Sequence, residues 1–216
     1  MENNKGQFNY YVFGKAPRSL GSDISNLLLI FVVVVFMVFM HFSQVYTGIS
    51  IKGPSMMPTF NENYKSNPKS EDIAYYTSVT EFKRGDVVIA NTGEKDIIKR
   101  VIGLPNEKVS IKLDSENEYY YVYINDVKLE EDYIFSREDM QTEYESFVKL
   151  FGEEVVVPEN SLFILGDNRG YSLDSTHYGC FNYDQILGRV DYIVRADETP
   201  VWSLFIQLFL PILYEN

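Results

Sequence analysis

Histidine and cysteine are nearly missing from this 216-residue chain, which holds His41, His177 and a single Cys180. One cysteine cannot close an internal disulfide, and three such residues scattered along the chain make no cluster with metal spacing. Neither a metal nor another cofactor is expected. His41 lies within an apolar run, so a Ser-His-Asp hydrolase has almost no base to work with. Basic residues are also in short supply, 19 against 31 acidic ones, for a formal charge of −12. The acidic groups spread along the chain, which argues against nucleic acid as a partner and fits a solvated surface.

What is abundant is apolar sequence in one place. Residues 1–24 read as a polar cytoplasmic tail carrying Lys5, Lys15 and Arg18. Leu27 to Met40 reads LLLIFVVVVFMVFM, with no polar side chain. Extended to 25–46, the segment is long enough at ~1.5 Å per residue to cross a bilayer core. A cleavable leader is a poorer fit, because HFSQVYTG offers no small-residue cleavage pattern. Lys15 and Arg18 precede the span and no basic residue follows until Lys52. That asymmetry predicts a single-pass type II protein of the plasma membrane, its N-terminus cytoplasmic and the remainder outside. Residues 199–216 open on Thr199-Pro200, a helix-start pattern, and are apolar except for a few positions. They are expected to lie in the membrane interface, with a core-packed helix as the alternative.

Residues 47–198 read as a mainly β domain. GDVVIANTG, DIIKRVIGL, EKVSIKL, YYYVYIN, SLFILGD and GRVDYIVRA are short, rich in Val, Ile and Tyr, and separated by turn residues. The more polar stretch 132–151 is expected to hold a helix or a long loop.

A hydrolase without a usable histidine needs another base. A lysine serves if burial destabilises its ammonium, making neutral amine available near pH 7. Such a base can activate a serine hydroxyl for acyl transfer. Ser55 lies in Gly53-Pro54-Ser55-Met56-Met57-Pro58-Thr59, just beyond the apolar span, and Lys99 lies in Asp96-Ile97-Ile98-Lys99-Arg100-Val101-Ile102-Gly103. In a strand, Ile97, Lys99 and Val101 share one face and Arg100 points the other way. Taken alone, each residue has a plainer reading: a snorkelling edge lysine and a turn serine.

Four segments in order, GPSMMPTF (53–60), RGDVVIA (84–90), IIKRVIGLPNE (97–107) and LGDNRGYSLDSTHYG (165–179), resemble the motifs of bacterial type I signal peptidases. The resemblance runs from the apolar span to about Arg195. It implies a coiled β-sheet catalytic core with a variable second β region, behind one transmembrane helix. It also implies that Ser55 is the nucleophile and Lys99 the general base, acting through an acyl-enzyme. Ser172 would hydrogen-bond the lysine, Asp174 would be a structural charge nearby, and Asp167, Arg169 and Met56 would support the site. Gly53 and the Ser55 backbone N–H fall in the oxyanion region. The implied substrates are exported precursors bearing signal peptides, cut after A-x-A-like sequence. The lipid bilayer is an implied partner, with secretion machinery or surface pilus components as further ones. A specialised or non-catalytic factor assisting pilus assembly is the alternative function.

Two departures stand out. The family's serine two residues before the nucleophile is here Gly53, so a second oxyanion donor must come from elsewhere. The family's D-S-R is here Asp174-Ser175-Thr176. Asp174 therefore lacks its usual arginine, and either exposure or another cation, Arg100 or Arg169, is expected to compensate. His177 and Cys180 lie beside this loop; Cys180 is read as packing rather than as a thiol nucleophile.

Overall fold

The computed structural model describes residues 20–64, 66–67, 71–137 and 140–197. The expected cytoplasmic tail to residue 19 and the apolar segment 199–216 lie outside the described residues. Two units are distinguished, 1–44 and 45–216.

In the first unit the apolar run forms a helix, α1, over Leu20–Val45, which begins before the expected Ser25. No side chain from Asp23 to Val45 is buried, and the segment 23–45 is long and apolar enough to cross a membrane.

The second unit is antiparallel β structure. Its strands are β1 (Thr47–Ser50), β2 (Ile73–Thr77), β3 (Val87–Asn91), β4 (Asp96–Gly103), β5 (Lys108–Leu113) and β6 (Tyr120–Ile124). They are followed by β7 (Val127–Lys128), β8 (Glu154–Val156), β9 (Ser161–Leu165), β10 (Phe181–Asn182) and β11 (Ile186–Val194). Seven form one sheet in the order β1-β2-β11-β3-β4-β9-β10, and four form a second in the order β7-β6-β5-β8. Register shifts on β4 between Val101 and Gly103, and on β11 between Ile186 and Gly188 and between Val190 and Tyr192, break the ladders of the larger sheet. Such bulges bend the strands that carry them, which curls the sheet.

Side-chain alternation explains the second sheet. On β6, Tyr120, Val122 and Ile124 are buried while Tyr121 and Tyr123 are half-exposed. The inward set packs with Val109 and Ile111 of β5 and with Phe147 of helix α2 (Gln141–Phe151). Asn125 and Asp126 both take positive φ, 50° and 67°, and turn β6 tightly into β7. The stretch 132–151 thus contains the helix foreseen as one of its two alternatives. In the larger sheet, Ile98 of β4 packs with Ile51, Met56, Phe60, Ala74 and Ile89. This cluster seats the segment carrying Ser55 against the strand carrying Lys99.

Candidate active site

Ser55 occupies a tight turn in which the Met57 N–H donates to Pro54 O at 3.1 Å, followed by Phe60 N–H to Met56 O at 2.9 Å. The turn cannot swing free, because Met56 and Met57 are buried. Gly53 enters it at φ +82°, a conformation that favours glycine. Asn61 ties down the approach to the serine: its Nδ2 donates to Ile51 O at 2.8 Å and to Gly53 O at 3.0 Å. Its backbone and side chain also exchange hydrogen bonds with Asp72.

Lys99 is 3 % exposed. Its Nζ lies 2.8 Å from Ser55 Oγ and 2.6 Å from Ile98 O. Burial pushes its ammonium down to about 8, against the opposing pull of Asp174 and Asp167. The Ser55 N–H makes no hydrogen bond among the described residues, which leaves it an unused donor.

The loop after β9 closes on the same turn. Asn168 donates its N–H to Ser55 O at 3.1 Å and its Nδ2 to Pro54 O at 3.0 Å. Gly166 passes so close that a Cβ there would lie 2.5 Å from Ser55 O and 2.2 Å from Ser172 Oγ. Neither Asn168 nor Gly166 stands out in the sequence as a site residue, although both fall inside the fourth motif. Their signal was spacing within that motif rather than reactive chemistry.

Arg100 points away from Lys99 and forms a two-pronged ion pair with Asp167, Nε to Oδ1 at 2.8 Å and Nη2 to Oδ2 at 2.6 Å. It also donates to Gly85 O and Thr59 Oγ1 and stacks over Tyr133, 4.2 Å from the ring centre. Arg169 pairs with Glu131 and donates to Gly166 O at 3.0 Å; both charged partners are buried. Glu131 is held well below the usual carboxylate range by Arg169 and Arg137, even though burial opposes it.

Both arginines make their ion pairs elsewhere, so neither bonds Asp174 directly, although the buried Arg169 guanidinium still acts on Asp174 through its charge. Asp174 is buried and is satisfied by neutral donors. Oδ2 accepts from Gly166 N–H at 2.9 Å and Ser172 Oγ at 2.6 Å. Oδ1 accepts from Thr176 N–H at 3.1 Å and Thr176 Oγ1 at 2.9 Å. Thr176, the residue in place of the missing arginine, supplies half of the bonds itself. A buried carboxylate with four donors avoids most of its desolvation penalty without a direct ion pair. Ser172 spends its proton on Asp174, and the two hydrogen bonds of Lys99 go to Ser55 and Ile98. The direct Ser172–Lys99 bond implied by the resemblance is not formed here. Burial raises the Cys180 thiol to about 11, so almost no thiolate exists near neutral pH.

Ser55 and Lys99 open into a groove of about 470 Å³. Ile49, Ile51, Ile89, Ile97 and Ile98 give it an apolar lining, with Tyr171 and Leu173 contributing from the loop opposite. Ser50, Lys52, Lys95 and Asp96 add polar and charged groups to the same lining. The hydroxyl, the amine at 2.8 Å and a free N–H can together support attack on a carbonyl.

The chain is similar to known proteins of one family. The family model described as signal peptidase, peptidase S26, matches residues 24–195. Signal peptidase I P of Bacillus subtilis subsp. natto is 33% identical over 183 residues, which span 82% of this chain and 91% of that protein. Signal peptidase I of Bacillus caldolyticus is 32% identical, over 68% of this chain and 79% of that protein. A crystal structure of a signal peptidase I from Enterococcus faecalis V583 aligns at 26% identity over 53% of this chain and 100% of that one, with a TM-score of 0.37. Serine peptidase is the class these relatives define. The chain belongs to the signal peptidase family, peptidase S26.

Proposed function

We propose that this chain is a membrane-anchored endopeptidase that removes signal peptides from exported precursor proteins, with Ser55 as nucleophile and Lys99 as general base. The observation that carries the reading is the 2.8 Å approach of a buried lysine amine to a serine hydroxyl at the floor of an open groove. When Lys99 is protonated it donates to Ser55 Oγ. Once it has lost its proton, the amine accepts the hydroxyl proton as Oγ attacks the scissile carbonyl. The Ser55 N–H is the first donor to the oxyanion. Lys99 then returns the proton to the leaving amine. In the second half it draws a proton from water, which attacks the ester and releases the acyl group. The isoleucines of the groove disfavour charged side chains, which would lose hydration against them; selection of small side chains is carried over from the family resemblance.

The helix α1, long and apolar enough to cross a bilayer, supports a single membrane span. Its flanking charges favour a cytoplasmic N-terminus and an extracytoplasmic peptidase. No observation favours the alternative of a non-catalytic factor for pilus assembly.

The test is cleavage of a precursor containing an A-x-A site by the parent protein and by Ser55→Ala and Lys99→Ala variants. Cleavage by the parent alone is the expected result. Equal activity in Ser55→Ala removes the dyad reading, and an inactive parent removes the peptidase reading.

A further inference from the structure

The bonds that hold Asp174 do not stop at Thr176. His177 Nδ1 lies 2.9 Å from Thr176 Oγ1, and His177 Nε2 lies 3.2 Å from Ser146 Oγ on α2. The direction of this chain is fixed at one end. A threonine hydroxyl has a single proton, and the ionised carboxylate of Asp174 only accepts, so the Thr176 proton points at Asp174. Thr176 Oγ1 must then accept from His177, which makes Nδ1–H the donor. In the neutral ring Nε2 carries no proton and accepts from the Ser146 hydroxyl. Four side chains thus run in one sense, Ser146 to His177 to Thr176 to Asp174, from a helix on the second sheet into the loop beside Lys99.

We propose that His177 is a positioning residue for the peptidase reaction, aligning the Thr176 hydroxyl on Asp174 and so doing the orienting work of the arginine that this chain lacks. The proposal rests on the Ser55/Lys99 reading. His177 does not line the groove, so it acts through others and not on substrate. Without a donor behind it the Thr176 hydroxyl can rotate toward other acceptors, and Asp174 loses a bond that fixes its carboxylate. The same carboxylate holds Ser172 and Gly166 N–H, and Gly166 lies against Ser55. Misplacement there is transmitted directly to the nucleophile. The charged groups acting on Lys99 are Asp174, Asp167 and Lys95, and the buried Arg169 guanidinium acts in turn on Asp174. Loosening the donors around Asp174 leaves its negative field less compensated, which favours the protonated lysine.

Four variants separate positioning from mere folding. His177→Asn keeps an N–H at the δ position facing Thr176, whereas His177→Gln carries its amide farther out, toward Ser146. Thr176→Ser keeps the hydroxyl, whereas Thr176→Val deletes it. Steady-state cleavage of a precursor peptide is measured against pH, with thermal melting of each protein alongside. His177→Gln and Thr176→Val are expected to lose about tenfold or more in kcat with KM changed little, because small errors in placing reacting groups are costly. Their acid limbs are expected to move to higher pH. His177→Asn and Thr176→Ser are expected to recover most of the loss and restore the limb. Equal kcat and pH profiles within each pair overturn the proposal, as does a loss confined to KM. Activity retained in a parallel Ser55→Ala control instead removes the dyad on which it rests.

Discussion

Replacing Gly166 by alanine asks how tightly the loop after β9 holds the serine. The added Cβ would stand 2.5 Å from Ser55 O, 2.2 Å from Ser172 Oγ and 2.6 Å from Ser172 Cβ. The Ser55 contact is with backbone, and it falls roughly an ångström short of the 3.4 Å at which ordinary contact begins. The Ser172 hydroxyl cannot simply rotate aside without giving up its bond to Asp174. The chain must therefore move at Ser55, at Gly166, or at both. A displacement of about 1 Å in a reacting group costs on the order of 100-fold in rate, while overpacking of this kind costs about 1–3 kcal/mol of stability. The variant should fold, with a lowered melting temperature, and should cleave a precursor peptide about 100-fold more slowly at saturating substrate. Steady-state cleavage together with circular dichroism melting measures both. Activity within about threefold of the parent, in a folded variant, would refute the view that Gly166 sets the position of Ser55.

Activity should rise with pH along a limb with its midpoint near 8, since burial lowers Lys99 to about that value and only the neutral amine can act; a midpoint above 10 counts against the buried-base mechanism. Lys99→Met should be inactive yet more stable, because a shift from 10.5 to about 8 corresponds to about 3 kcal/mol of penalty on the buried ammonium. That gain is full below pH 8, fades between 8 and 10.5, and vanishes above, which denaturant unfolding at several pH values would register. Asp167→Ala leaves the Arg100 guanidinium without its carboxylate in a largely buried setting and should cost about 3–5 kcal/mol in the same assay.

The elements that turn on alternation or on an apolar run were readable without coordinates. The six strands named from the sequence correspond to β3, β4, β5, β6, β9 and β11, and the long apolar run forms α1. The short strands β1, β7, β8 and β10 have too few residues for a period of two to stand out, and tertiary pairing makes them; β2, as long as β3, was not named from the sequence either. The same divide runs through the site. Ser55 and Lys99 are 44 positions apart, and only the ordered motifs suggested they belong together; the 2.8 Å contact is a property of the sheet. Asn168, Gly166 and Asn61 act through backbone contacts, which depend on where the chain passes rather than on what a side chain can react with. The hold on Asp174 was only partly legible for a related reason. A missing arginine suggested a missing cation, but the carboxylate needed donors, and two of the four are backbone N–H groups that no sequence displays.

The neighbours on β4 account for why Lys99 stays available as a base. Two aspartates lie close enough to raise its pKa, and a free carboxylate beside a buried lysine would keep it protonated. Each is committed elsewhere. Asp167 is gripped by Arg100, the very next residue, which alternation sends to the opposite side of the strand. Asp174 is held by Gly166, Ser172 and Thr176. Neutral donors around Asp174 have a further consequence. They hold the carboxylate without a direct ion pair, with the Arg169 guanidinium acting on it only at longer range. With both carboxylates occupied, desolvation outweighs attraction and the amine titrates near 8. The arginine beside the lysine is thus part of the same device: by holding Asp167 on its own side, it leaves the buried amine to Ser55.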